Sequence, residues 1–317
     1  MNPTVGIRLT APQRAGNVNY MSRFIFAAVS WLLLAGTAVA QGVPGRDLLQ
    51  FPLGLLAEAP ALSRQMTGGL WNPAASAIES PSRGALGFAG LTTPQDQGVN
   101  LETLSGSYVF RPRWTASLSF AQASVSDILR TDSDPLSHGN EIPYSTTVAS
   151  AVVSTVRGPA NLGLAARYRW GTVDAEHAGT LSIDAGAIVD RVAGTPLRLA
   201  ASTFLFSPWD KDNEATYFAA ADIPVLRRDS TLVVRAGYSV SHTNDRGHDQ
   251  YGFATARYRQ FDASAGVSQA VVFSNRNDRW RLGLGLHYAG YNIAIGREDG
   301  AAGFPPSYQF LLTRVLP

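Results

Sequence analysis

The chain contains no cysteine, which excludes disulfides, thiol nucleophiles and cysteine-ligated metals. Charge is sparse as well. Charged residues make up 16% of the chain, the formal net charge is +2, and Lys211 is the only lysine. No block of basic residues is present that could track a phosphate backbone, so nucleic acid is not expected as a partner. Long apolar runs are also scarce. A mean hydropathy of -0.02 is too polar for a bundle of spanning helices, each of which needs about 20 apolar residues.

Only one stretch approaches such a run, MSRFIFAAVSWLLLAGTAVAQG from Met21 to Gly42. Arg23 supplies a positive start, Phe24 to Leu34 an apolar core, and Ala38-Val39-Ala40 a small-x-small cleavage site before Gln41. This is the layout of a secretion signal. Residues 1–40 are therefore expected to be an N-terminal extension and signal peptide, with Met21 as a plausible true start. An uncleaved anchor is the competing reading, and the shortness of the apolar core argues against it.

From Gly84 to the C-terminus the sequence alternates. Trp280, Leu282, Leu284, Leu286 and Tyr288 share one parity, and Arg281, Gly283, Gly285 and His287 the other. A period of two gives a strand with one greasy and one wet face. The pattern predicts strands at 84–92, 101–111, 113–126, 142–157, 160–172, 178–190, 197–206, 215–225, 230–241, 249–259, 261–273, 280–288, 290–297 and 307–316. The count, about fourteen, is even, as single-chain bacterial outer-membrane barrels require. The expected fold is all-β, a transmembrane antiparallel barrel over residues 84–317. The competing fold is a soluble periplasmic sandwich or solenoid. Against it, Ala and Gly fill the polar parity, and apolar faces end in aromatics such as Tyr108, Trp170 and Tyr288, as interfacial girdles do.

Connections support an orientation. Thr93–Asn100, Asp127–Ile142, Val173–His177, Ser207–Glu214, His242–His248, Ser274–Arg279 and Arg297–Pro306 read as external, and all but Val173–His177 are long. Pro112, Gly158-Pro159, Gln260 and Ala289-Gly290 read as periplasmic turns. Parity places Arg167, Arg169, Asp184, Arg198, Arg235, Arg281 and His287 on the lumen side, because an arginine in mid-bilayer costs roughly 2–4 kcal/mol. In a structural reading the arginines bond acids such as Asp47, Glu58 and Glu79. In a functional reading they line a path for an anionic or amphipathic solute. The stretches 145–156 and 251–259 do not alternate cleanly.

Residues 41–83 carry no strand rhythm. Leu48, Leu49, Phe51, Leu53, Leu55 and Leu56 are apolar but broken by Pro52 and Gly54, and Trp71-Asn72-Pro73 marks a turn. So greasy a segment ahead of the barrel needs cover. The expectation is a plug folded into the lumen, with Leu48, Phe51, Leu55, Trp71, Asn72 and Pro73 as its contacts.

LWNPAASA, ahead of the first strand GALGFAGLTT, resembles the "NPA" segment of FadL-like and PorV/PorQ-like outer-membrane barrels. Trp71, Asn72, Pro73, Ala74 and Ala75 carry the resemblance, which spans residues 68–92. It implies fourteen strands with an N-terminal segment inside. The FadL likeness implies non-enzymatic passage of small hydrophobic or amphipathic molecules. The PorV/PorQ likeness implies an accessory barrel that docks secretion or surface-attachment partners without transport. FadL-like chains are considerably longer, with large external loops, whereas Asp127–Ile142 is modest and polar.

Enzyme signatures are missing. No G-x-S-x-G elbow or P-loop occurs, Asp210, Asp212 and Glu214 do not complete a calcium loop, and His242, Asp245, His248 and Asp249 lack a zinc spacing. His287 has no partner nameable from sequence and reads as a packing or pore-lining residue. No catalytic residue, metal or cofactor is expected. The partners expected are outer-membrane lipid and either a hydrophobic or amphipathic small molecule or a secretion-system protein.

Overall fold

The computed structural model describes residues 42–51, 53–78, 82–94, 98–126, 128–130, 141–209, 215–229, 231–244, 247–272, 275–300 and 305–317. Residues 1–40, where a secretion signal is expected, and Glu79, His138, Asp210, Lys211, Asp212, Glu214 and Asp245 lie outside the described residues.

Fourteen strands form one closed antiparallel sheet. They are β1 Gly84–Thr92, β2 Val99–Arg111, β3 Trp114–Val125, β4 Tyr144–Arg157, β5 Ala160–Val173, β6 Glu176–Val189 and β7 Arg198–Phe204. The second half comprises β8 Thr216–Arg228, β9 Leu232–Thr243, β10 Gly247–Tyr258, β11 Phe261–Val272, β12 Asn275–Tyr288, β13 Tyr291–Glu298 and β14 Ser307–Leu316. Each strand pairs with its sequence neighbours, and β1 closes the ring on β14 from Gly84↔Leu316 to Thr92↔Tyr308. Closure gives every strand a partner on both sides, as backbone in lipid requires, although β6 meets β7 only over Gly186–Val189.

The faces separate by parity. On β5, Leu162 and Leu164 point out, while Asn161, Ala165, Arg167 and Arg169 are buried. The same division runs along β12, where Trp280, Leu282, Leu284 and Tyr288 are exposed and Arg281 is buried. An outward band this apolar would be a large sticky patch in water. Around a closed barrel it is the surface that lipid covers.

Two strands defy alternation, and their neighbours explain it. On β4, Val148 and Val152 turn inward together with Ser150 and Ser154; on β10, Tyr251 and Phe253 turn inward. Val148, Tyr251 and Phe253 belong to one apolar cluster with Leu48, Leu55, Leu62 and Trp71 of the N-terminal segment. The wall there faces oily side chains on both sides, so the wet-dry contrast that makes alternation visible is lost.

Two of the connections expected to be long are short. β12 starts at Asn275, well before Trp280, where the alternation sets in, and absorbs most of Ser274–Arg279. β9 runs to Thr243 and β10 starts at Gly247, so His242 and His248 belong to paired strands. Val173–His177 is the tight turn between β5 and β6 that its length implies. The sequence Asn275-Arg276-Asn277-Asp278 is polar at every position, and Gln269 bonds Asp278 across β11 and β12 at 3.2 Å. The barrel end with the β1–β2, β3–β4, β7–β8 and β13–β14 connections is called the loop end below, and the other the turn end.

Candidate functional site

The N-terminal segment packs against the inner wall through short 3-10 turns at Arg46–Gln50, Met66–Leu70 and Pro73–Ser76. Asn72 opens the last of these. Its Oδ1 accepts from Ala74 N at 2.9 Å, and its Nδ2 donates to the Ala61 carbonyl at 2.6 Å. Pro73 follows at the first helical position, where its missing N–H is no loss. Trp71 donates its indole N–H to the Leu53 carbonyl at 2.8 Å and packs on Phe204, with ring centroids 4.9 Å apart. The wall makes room with glycine: a Cβ on Gly163 or Gly186 would run into Pro73 or Asn72. Leu48 and Leu55 are buried in this cluster, and Phe51 packs on its margin.

Four of the five inward arginines, Arg167, Arg198, Arg235 and Arg281, bond acids of the strands. Arg167 is fully buried, and its Nε donates to Asp184 at 2.5 Å, its Nη1 to Ser150 at 3.0 Å and its Nη2 to the Gly69 carbonyl at 3.2 Å. Arg169 Nη1 donates to the Val43 carbonyl at 2.9 Å. Arg198 and Arg235 share the single carboxylate of Asp222. Arg281 pairs with Glu298 at 3.1 Å and lies over the Tyr251 ring, 4.9 Å from its centroid. His287 bonds Asp262, which also receives Arg257.

These partners differ from the acids named from sequence. Asp47 accepts from Tyr144 instead, Glu58 has no hydrogen bond or ion pair to the described arginines, and Glu79 lies outside the described residues. Asp262 and Glu298 share the parity of their strands' Gly and Ser or Ala residues, whereas the alanines of β8 fall on both parities and do not mark Asp222. His287 does have a carboxylate partner, Asp262, one strand away. At the loop end, His242 and His248 stack with centroids 4.5 Å apart, and no group of three metal-binding side chains occurs among the described residues.

Two cavities flank the N-terminal segment. The loop-end cavity has a volume of about 550 Å³, with a floor of Leu48, Leu49, Phe51, Trp71, Phe204 and Phe218. The rest of its lining is mostly polar, with Thr216, Ser239, Ser268, Arg279 and Arg281 beside the acids Asp249, Glu298 and Asp299. The turn-end cavity, about 570 Å³, is lined by Glu58, Arg198, Arg235, Arg257, Asp262 and His287. The stretch Leu55–Pro60 contributes to both. Leu55 and Pro60 face the first cavity, and Leu56 and Glu58 the second. That stretch is held by Tyr251, whose hydroxyl donates to the Ala57 carbonyl at 2.8 Å, and by Gln309, which donates to the Leu55 carbonyl.

A closed sheet, an apolar outer band and a charged interior define the class: a transmembrane β-barrel of the outer-membrane type. No protein-family model matches the chain, and a search of curated proteins finds no match. Among solved structures, the chain is similar to the outer membrane protein Omp33 of Acinetobacter baumannii. The identity is 7%, with 74% of this chain and 98% of that one covered, at a TM-score of 0.46. A mutant porin of Rh. blastica shows 11% identity over 74% and 99% of the two chains, at a TM-score of 0.40. Likeness at this level is one of barrel architecture, and the narrower FadL-like or PorV/PorQ-like resemblance gains nothing from it.

Proposed function

We propose that this barrel lets small hydrophobic or amphipathic molecules cross the outer membrane, with residues 41–83 as a hatch rather than a permanent seal. The observation that carries the reading is the pair of cavities lined by the N-terminal segment, with residues of Leu55–Pro60 contributing to both. The loop-end cavity has the size of a small-molecule pocket, an apolar floor and a few convergent polar groups. Its aromatic floor accepts an apolar body, and its Ser, Thr and Arg wall accepts a polar head. A solute seated there touches the same stretch of chain that lines the turn-end cavity.

Planar-bilayer recording tests the reading. Wild type should show low conductance, and deletion of Gly42–Met66 should give an inserted barrel with larger single-channel conductance. Negligible conductance in both, with loss of binding to another envelope protein on deletion, would replace passage by docking.

A further inference from the structure

The turn-end cavity differs in chemistry from the loop-end one. Asp222 accepts from Arg198 Nε at 2.8 Å and from Arg235 Nε and Nη2 at 3.0 and 2.7 Å. One carboxylate therefore serves two guanidiniums and leaves one positive charge uncancelled. Arg257 donates its Nε and Nη2 to Asp262 at 2.7 and 2.9 Å. In all three arginines the Nη1 group makes no hydrogen bond among the described residues. A guanidinium carries five N–H donors in a planar fork that matches a carboxylate. The cavity is thus lined by three arginines with donors to spare.

Opposite them stands Glu58. It is half-buried, lines the same cavity, and lies within electrostatic reach of Arg198 and Arg257 without bonding either. The cavity already contains a carboxyl group of the protein's own, held near the arginines on a stretch of chain with no regular structure.

We propose that the turn-end cavity binds an organic carboxylate through the spare N–H groups of Arg198, Arg235 and Arg257, and that Glu58 is the resident acid with which this ligand competes. A carboxylate fits better than a phosphate because the group that the site already faces is a carboxylate. The site deepens the passage reading, since it gives an amphipathic acid a place for its head group beyond the hatch. It does not require that the barrel conducts.

Calorimetric titration of the full chain in detergent micelles with phenylacetate tests the site, with benzyl alcohol as the uncharged match. Glu58→Gln removes the competing charge at nearly constant shape and should tighten phenylacetate binding several-fold. Arg235→Gln and Arg257→Gln should each weaken it several-fold. Benzyl alcohol should bind all variants alike. Heat-modified mobility on gels confirms that each variant is a folded barrel, and Glu58→Gln still tests the site if an arginine variant does not fold. The proposal is overturned if phenylacetate binds neither wild type nor Glu58→Gln, if the substitutions leave its affinity unchanged, or if inorganic phosphate binds more tightly with the same mutational pattern. Because the titration is an equilibrium measurement, its failure is distinct from a failure of the conductance experiment.

Discussion

Arg167 and Asp184 form a wholly buried ion pair across β5 and β6, and the far side of the same guanidinium holds the Gly69 carbonyl of the N-terminal segment. Asp184 in turn accepts from the backbone N–H of Leu205 at 3.1 Å and of Phe206 at 2.9 Å. One pair thus joins two strands of the wall, the end of β7 and the segment inside the barrel.

Asp184→Asn should destabilise the barrel strongly. It leaves Arg167 charged and without a counter-ion in a site closed to water, a situation that costs roughly 3–5 kcal/mol. Urea unfolding of the refolded protein in micelles measures the loss. A change below about 1 kcal/mol, typical of an exposed pair, would show that water reaches the site.

Tyr251→Phe removes the hydroxyl that holds the Ala57 carbonyl and leaves the ring beside Arg281. A single such bond contributes about 0.5–1.5 kcal/mol, so the barrel should remain folded. The strap shared by the cavities should open more often, read as more frequent brief current steps in planar bilayers. Unchanged recordings would move the gate elsewhere.

Leu164 is 62% exposed on the outer face of β5. Leu164→Arg should impair insertion, at a cost of roughly 2–4 kcal/mol for a guanidinium at the bilayer centre. Insertion into lipid vesicles, followed by gel mobility, checks it. Wild-type yields would contradict the lipid-facing assignment.

Burial pushes the Glu58 carboxyl up from its ordinary value, against the pull of Arg198. The groups facing it are the cations Arg198 and Arg257 and the acids Asp222 and Asp262, with His287 bonded to Asp262. A raised carboxyl binds its proton more tightly in the folded than in the unfolded state, so its contribution to stability is present at low pH and is lost as pH rises through the raised value. Protonation also withdraws the competing charge from the cavity. Over the range in which phenylacetate itself stays ionised, its affinity should therefore fall as pH rises through this titration in wild type and stay flat in Glu58→Gln. An equal slope in both would show that Glu58 is not the competing group.

Most of the wall was legible in the sequence. The alternation places β1 and β14 at the residues where they are found, because both run between lipid and the lumen for their full length. It fails on β4 and β10 for one reason and at the start of β12 for the opposite one. Behind Val148, Tyr251 and Phe253 the lumen is oily; from Asn275 to Asp278 every residue is polar. Alternation needs a contrast between polar and apolar residues, and neither stretch of sequence has one. The arginine partners were hidden differently. Parity restricts a side chain to the lumen, but the choice of Asp222 over Glu58 depends on register between strands, which a single sequence does not carry.

The glycines that receive the N-terminal segment lie on β5, β6 and β12, and its hydrogen-bond partners extend to Gln309 on β14. A part of the chain synthesised before every strand is therefore fastened to strands synthesised much later. Its leucines have no seat until nearly all of the sheet exists, so this segment must be the late passenger of assembly, kept from aggregation until the ring can close around it.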